Sequence, residues 1–275
     1  MACWPCLTGQ VDSQGRPPPG YTIHANGGRA IALKSAESYR SLRTRSVTVR
    51  RTRNTMNEPV EIKLTANGTD LYIFFGGIAA GIAMPPFEFF NASKIVDENK
   101  IFIRDFSQCW YQDGLPGISE DIYSTATYIR RQIEQIKPDK VFFVGNSMGG
   151  FAAILFAGLI DKGEAIAFAP QTFISPFLRL KHRDTRWLKQ ISNTYRKSLF
   201  KRKVWNLKPF LLRSNSRNKI SVFVSKADKL DRIHASHIAD IPGVNVYEFD
   251  TGGHGIVKLL RDEGKLPAIM SGTYA

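Results

Sequence analysis

The sequence is poor in cysteine, in acidic residues and in long apolar runs, and each scarcity excludes something. Three cysteines (Cys3, Cys6 and Cys109) in 275 residues are too few for a disulfide framework. Cys3 and Cys6 have a C-x-x-C spacing, but a lone pair is half of a four-ligand zinc site and lies outside any strand–helix–strand pattern. They read as ordinary thiols, and neither a metal nor a cofactor is expected. No window holds the roughly 18 uninterrupted apolar residues that a membrane-spanning helix needs. The opening MACWPCLTGQ lacks the basic and apolar regions of a secretory signal. The expectation is a cytoplasmic protein with no transmembrane segment.

Acidic residues number 24 against 38 Lys and Arg, a formal charge of +14, and the imbalance is local. Residues 1–56 carry nine Lys and Arg against two acids, and residues 171–220 carry fourteen against one, a formal +13. The rest of the chain is net acidic. Basic segments attract nucleic acid, anionic membrane or acidic substrates. No zinc-finger, homeodomain or RNA-recognition signature accompanies the charge, so nucleic acid is not the expected partner. A solvated basic face, an acidic substrate or partner, and peripheral contact with an anionic surface stay open.

What is present suits one sizeable core: 43% of residues are hydrophobic and 11% aromatic. Residues 1–45 read as an irregular basic segment, with RPPPG at 16–20 and Gly27-Gly28 as loop signals. Residues 46–275 read as one α/β domain. Runs at 47–51 and 60–64 alternate as half-buried edge strands do. Runs at 71–75, 101–103, 141–144, 165–168, 221–224 and 244–249 fit a mostly parallel sheet covered on both faces. Ile122, Thr125, Tyr128, Ile129, Ile133 and Ile136 recur at helical spacing, with Ser119 and Asp121 at the helix start. Residues 151–160 form a second apolar helix, and 84–90 (MPPFEFF) a helix packed on the sheet. Alternation of strand and helix predicts right-handed crossovers.

The strongest chemical signal is VFFVGNSMGG at 141–150. Gly145-x-Ser147-x-Gly149 directly follows a buried strand and precedes an apolar helix rich in small residues. A turn this tight has no room for side chains at 145 and 149, and it lifts the Ser147 hydroxyl to a helix N-terminus, where partial positive charge favours an anion.

On these residues the sequence resembles the α/β-hydrolase superfamily from about residue 60 onward, which implies an α/β-hydrolase fold and the chain order nucleophile, acid, histidine. Ser147 matches the nucleophile and His254, between glycines after the last strand run, the histidine. The acid is expected in the loop after 220–225, and Asp228 is favoured there over Asp231. The resemblance implies an oxyanion hole made by the backbone N–H of Met148 and a second donor, Gly77 or Ile78, in the loop after 71–75. It also implies that Asp105 organises a loop; pairing of Asp105 with Asp113 as acid and base is the weaker alternative. His234 and His237 read as surface or packing residues. Residues 171–218 lie where the family inserts its lid. This segment reads as helical in part, over 183–200, and strongly basic, with Lys201, Arg202 and Lys203 among its cations and with Trp187, Tyr195 and Trp205. Such a lid suits an anionic or glycan-linked acyl substrate. The expected activity is that of an esterase, thioesterase or deacylase. An acyltransferase, and a non-catalytic protein binding an acidic partner, remain open.

Overall fold

The continuous apolar runs have no polar face to offer water, and they occupy the middle of a sheet with both faces covered. The computed structural model describes residues 21–26, 29–34, 58–78, 92–196, 203–214 and 218–274. The strand readings at 47–51 and the helix at 84–90 lie outside these residues, as do Cys3 and Cys6.

The chain divides into two compact units, Met1–Arg53 and Asn54–Ala275. In the first, β1 (Tyr21–Asn26) and β2 (Arg29–Lys34) pair antiparallel, with Asn26 opposite Arg29. The expectation of an irregular 1–45 segment is corrected over 21–26 and 29–34, the residues of it that are described.

The second unit holds a seven-stranded sheet. Its strands are β3 (Val60–Lys63), β4 (Leu71–Phe75), β5 (Asn99–Ile103), β6 (Val141–Asn146), β7 (Glu164–Phe168), β8 (Ile220–Ser225) and β9 (Val244–Phe249), in the spatial order β3-β5-β4-β6-β7-β8-β9. β3 runs antiparallel to β5, and every other neighbour is parallel. β4, β6 and β8 expose almost nothing, whereas the edge strands β3 and β9 are half-buried.

α1 (Ile122–Ile136) starts in a capping box: Asp121 Oδ1 accepts the Ser124 N–H at 2.7 Å, and Ser124 Oγ accepts the Asp121 N–H at 3.1 Å. Its buried face is Ile122, Thr125, Ala126, Ile129 and Ile133. α2 (Met148–Ile160) is buried almost all round, packed on β4, β6 and β7. Between β7 and β8 the insertion forms α3 (Pro176–His182), α4 (Leu188–Arg196) and α5 (Leu207–Ser214). The helix expected over 183–200 is broken: Arg183 and Trp187 hold positive φ of 53° and 56°, and Asp184 Oδ1 accepts the Arg186 N–H at 3.0 Å in a side-chain turn that competes with the helix. α6 (Lys229–Ile238) follows β8, and α7 (Ile256–Asp262) and α8 (Leu266–Met270) close the chain. Among the described residues no helix is long and apolar enough to cross a membrane.

Parallel strands align their C-terminal ends on one edge of the sheet, where ligands of open α/β sheets bind. The ends of β4, β6, β8 and β9 all deliver side chains or backbone amides there.

Candidate active site

Ser147 joins β6 to α2 with φ 56° and ψ −116°, a conformation side chains rarely adopt and one that costs on the order of 1–3 kcal/mol. The surrounding backbone holds it. Its N–H donates to Phe168 O at 2.9 Å, and its carbonyl accepts from Phe151 and Gln171 N–H at 3.1 and 3.3 Å. Gly145 and Gly149 make the turn possible: a Cβ at 145 would overlap the Gly149 carbonyl, and one at 149 the Phe75 carbonyl. Ser147 is 4% exposed.

His254 sits in a one-turn helix, Gly253–Gly255, just past β9, entered through Gly252 at φ 108° and Gly253 at φ 53°. Its Nε2 lies 3.0 Å from Ser147 Oγ, and its Nδ1 lies 2.8 Å from Asp231 Oδ2. Asp231 is fully buried, one turn into α6. Burial opposes its charge, but the His254 and Arg186 contacts outweigh that and hold the carboxyl below its ordinary value.

The preference for Asp228 as the histidine's partner is corrected by this geometry. Asp228 is the N-cap of α6, and its side chain accepts the Asp231 N–H at 2.9 Å. The residue that caps a helix turns its carboxylate onto the helix end; the residue three positions later is free to face the sheet edge. Ligand atoms of Asp228, Asp231 and His254 lie within 4.8 Å of one another, close enough for a metal ion. The Arg186 guanidinium, 2.8 Å from Asp231 Oδ1, already puts a fixed positive charge there, which opposes a second cation.

Arg186, Asp184 and His234 surround the far side of Asp231. Arg186 Nη1 donates to Asp231 Oδ1, while its Nε and Nη2 donate to Asp184 at 3.1 and 3.2 Å. Asp184 Oδ2 also meets His234 Nε2 at 3.1 Å. The Thr172 N–H donates to His234 Nδ1 at 3.1 Å, so the ring proton sits on Nε2 and points at Asp184. Burial keeps His234 below the usual histidine range. Nothing in the reading of motifs singled out Arg186 or Asp184. A signal existed: Asp184 is the one acidic residue in 171–220.

Met148 is the first residue of α2, beside Ser147, where a helix has no intrahelical acceptor for its N–H groups. Gly77 and Ile78 follow β4 directly.

No protein-family model matches the sequence, and no curated protein does; the likeness is one of three-dimensional structure. The capsule O-acetyltransferase of Neisseria meningitidis serogroup A aligns with a TM-score of 0.55 at 14% identity, over 77% of this chain and 90% of that one. An alpha/beta hydrolase enzyme from a Medee basin deep-sea metagenome library aligns with 0.53 at 14% identity, over 78% and 94%. MenH from S. aureus aligns with 0.51 at 16% identity, over 79% and 98%. The chain has the α/β-hydrolase fold.

Within this α/β-hydrolase fold the other flagged residues find separate places. Asp105 accepts the N–H groups of Ser107, Cys109 and Tyr111 at 3.0, 2.7 and 2.8 Å and so shapes the loop after β5. Asp113 pairs with Lys203 at 2.6 Å, so the two aspartates do not form an acid–base pair. Lys203 does not lie on an open basic face: its side chain is 3% exposed, and it also donates to Gln112 O at 2.6 Å. Lys201 and Arg202 lie outside the described residues. His234 packs against Phe173 in a tilted arrangement with centroids 4.0 Å apart, and His237 meets the same ring at 5.1 Å.

Proposed function

We propose that this α/β-hydrolase-fold protein is an acyl-transferring serine enzyme of the esterase, thioesterase or deacylase type. The observation that carries the reading is the chain of two hydrogen bonds, Ser147 Oγ to His254 Nε2 at 3.0 Å and His254 Nδ1 to Asp231 Oδ2 at 2.8 Å.

A serine hydroxyl is a poor nucleophile at neutral pH, so attack on an acyl carbonyl needs a base in contact with it. His254 takes the Ser147 proton on Nε2 as the Oγ–C bond forms. Asp231 fixes the proton-bearing tautomer at Nδ1 and stabilises the imidazolium. The developing oxyanion meets the Met148 N–H and that of Gly77 or Ile78; one such donor is worth about 3 kcal/mol in the transition state. His254 then protonates the leaving group, and the acyl-serine is released by a second nucleophile that His254 deprotonates in turn.

Water as that nucleophile makes the protein a hydrolase. A sugar or alcohol hydroxyl makes it an acyltransferase. The second reading is favoured by the fold likeness to the meningococcal capsule O-acetyltransferase, one structure of which is a complex with CoA. An anionic or glycan-linked acyl substrate is supported by the basic insertion. Lys181, His182 and Lys208 from it, with Lys229, Arg232 and His237 of α6, line an open concavity of about 530 Å³ whose lining includes neither Ser147 nor His254, so it would act on such a substrate through the surface field and not as the acyl pocket.

The test is labelling of the full chain by a fluorophosphonate probe. Wild-type protein should label, and Ser147→Ala should not while melting at the same temperature. A folded wild type that resists the probe would refute the serine mechanism and leave the non-catalytic, partner-binding reading.

A further inference from the structure

We infer that Arg186, carried by the insertion between β7 and β8, is a positioning residue for the Asp231–His254 pair, so that the catalytic arrangement is complete only when the insertion is docked. The inference rests on the serine mechanism proposed above and extends it to a residue outside the three-residue chain.

The geometry supports it from both ends. Asp231 has two carboxylate oxygens; Oδ2 meets His254, and Oδ1 is held by Arg186 Nη1 at 2.8 Å. A carboxylate gripped on one oxygen only can rotate about its terminal torsion, which is broad and soft. Gripped on both, it presents Oδ2 to the imidazole in one orientation. Arg186 is itself fixed: its Nε and Nη2 form a two-pronged bond to Asp184, and its carbonyl accepts from Arg179 Nη2 at 2.6 Å. Asp184 in turn holds His234 on α6, so the insertion is tied to the helix bearing Asp231 at two points, 184 to 234 and 186 to 231.

The charge pattern points the same way. A segment with fourteen cations has one carboxylate, and that carboxylate is 1% exposed beneath Arg179 and Arg186. It offers surface solubility nothing. Together with Asp231 it balances the two guanidiniums of Arg179 and Arg186 in a buried site, where an uncompensated charge is costly. The groups facing the Asp231–His254 pair are Arg186 and Asp184 from the insertion and Asp228 and His234 from α6, with Arg179 behind Asp184. Removing Arg186 leaves two neighbouring carboxylates with no cation between them. Without the guanidinium, Asp231 loses a cation that favours its ionised form and holds a proton to higher pH. The acid limb of activity therefore moves to higher pH.

The test uses the full chain, Arg186→Gln and Arg186→Lys, each alone and with Asp231→Asn. The readouts are the rate of fluorophosphonate labelling and the pH profile of kcat/KM for p-nitrophenyl acetate. Arg186→Gln should lower labelling about 100-fold, the order expected for misplacement of a catalytic group by an ångström, and should shift the acid limb upward. Arg186→Lys should recover part of both. With Asp231→Asn present, Arg186→Gln should cost less than about twofold more, since it acts through Asp231. Equal losses in the two backgrounds, or wild-type rates in Arg186→Gln, overturn the inference. If the wild type itself neither labels nor hydrolyses ester, the serine reading has failed on its own. The far-downfield proton resonance of His254 Nδ1–H then decides: Arg186→Gln must shift or broaden it, and an unchanged resonance overturns the positioning role. Should Arg186→Gln not fold, Asp184→Asn, which removes the anchor of the guanidinium, must show the same resonance change or the inference falls.

Discussion

Asp228 and Asp231 stand three residues apart and do opposite things: Asp228 Oδ1 accepts the backbone N–H of Asp231, while Asp231 Oδ2 faces the ring of His254 at 2.8 Å. One carboxylate ends a helix and the other faces a histidine, and the first holds the backbone of the second.

That division separates the two variants. Asp231→Asn should lower kcat about 10⁴-fold, because an amide at this place favours the wrong imidazole tautomer. Asp228→Ala should cost about 1 kcal/mol of stability through the lost cap and reduce activity far less. Steady-state kinetics on a small ester with parallel thermal melts measures both. A larger activity loss in Asp228→Ala would return the role of acid to that residue.

Much of this arrangement is legible in the sequence. The inner strands are readable because strands covered on both faces must be continuously apolar, and the place of Ser147 because Gly145 and Gly149, where a Cβ would meet backbone, mark the tight strand-to-helix turn that carries it. The choice between Asp228 and Asp231 is not readable. Asp228 is the N-cap of α6 and Asp231 lies in its first turn, and spacing does not say which side chain is consumed by the cap. The pairing of β1 with β2 is not readable either, because the loop signal at Gly27-Gly28 in the sequence does not by itself say that strands flank it. The Asp184–Arg186–Asp231 bridge spans 45 positions to α6, beyond any local pattern, and its trace is a single acid in a basic stretch.

Stability should fall on the acid side through two histidines. Unfolded histidine titrates near about 6.5. Burial lowers His234, and burial together with Lys208, His234 and His182 lowers His237 to about 4. Both folded values lie below the unfolded one, so as pH falls below about 6.5 the unfolded chain binds protons that the native state refuses, and stability declines. Asp184 and Asp231, whose carboxyls are held low, contribute stability that is present above about 3.9 and lost below it, so they stay silent in the window from about 6.5 to 4. Melting temperatures at pH 7, 6, 5 and 4.5 should decline, and His237→Gln should flatten the slope. A slope unchanged in that variant would mean the ring is free to charge in the folded protein.

Charge reversal at Lys203 separates buried basicity from solvated basicity. The Lys203 ammonium is 3% exposed, pairs with Asp113 at 2.6 Å, and donates to Gln112 O. Lys203→Glu removes both partners and sets two carboxylates against each other in a site that water barely reaches. Breaking such a pair costs about 3–5 kcal/mol, which for a domain of this size is a drop in Tm of about 6–20 °C. Lys189→Glu, on the exposed face of α4, should stay within about 0.5 kcal/mol of wild type. Thermal melts of the two variants side by side make the comparison, and equal stability would mean that Lys203 is solvated after all. The contrast also fixes how recruitment of an anionic substrate must be examined. Loss of activity in Lys203→Glu reports damage to the insertion, whereas reversal of the exposed cations Lys181, Lys229 and Arg232 changes the field at the surface alone. If the basic surface recruits the substrate, those reversals should raise KM for an anionic ester, leave a neutral one unchanged, and lose their effect in high salt, where exposed charges are screened within about 3 Å at 1 M.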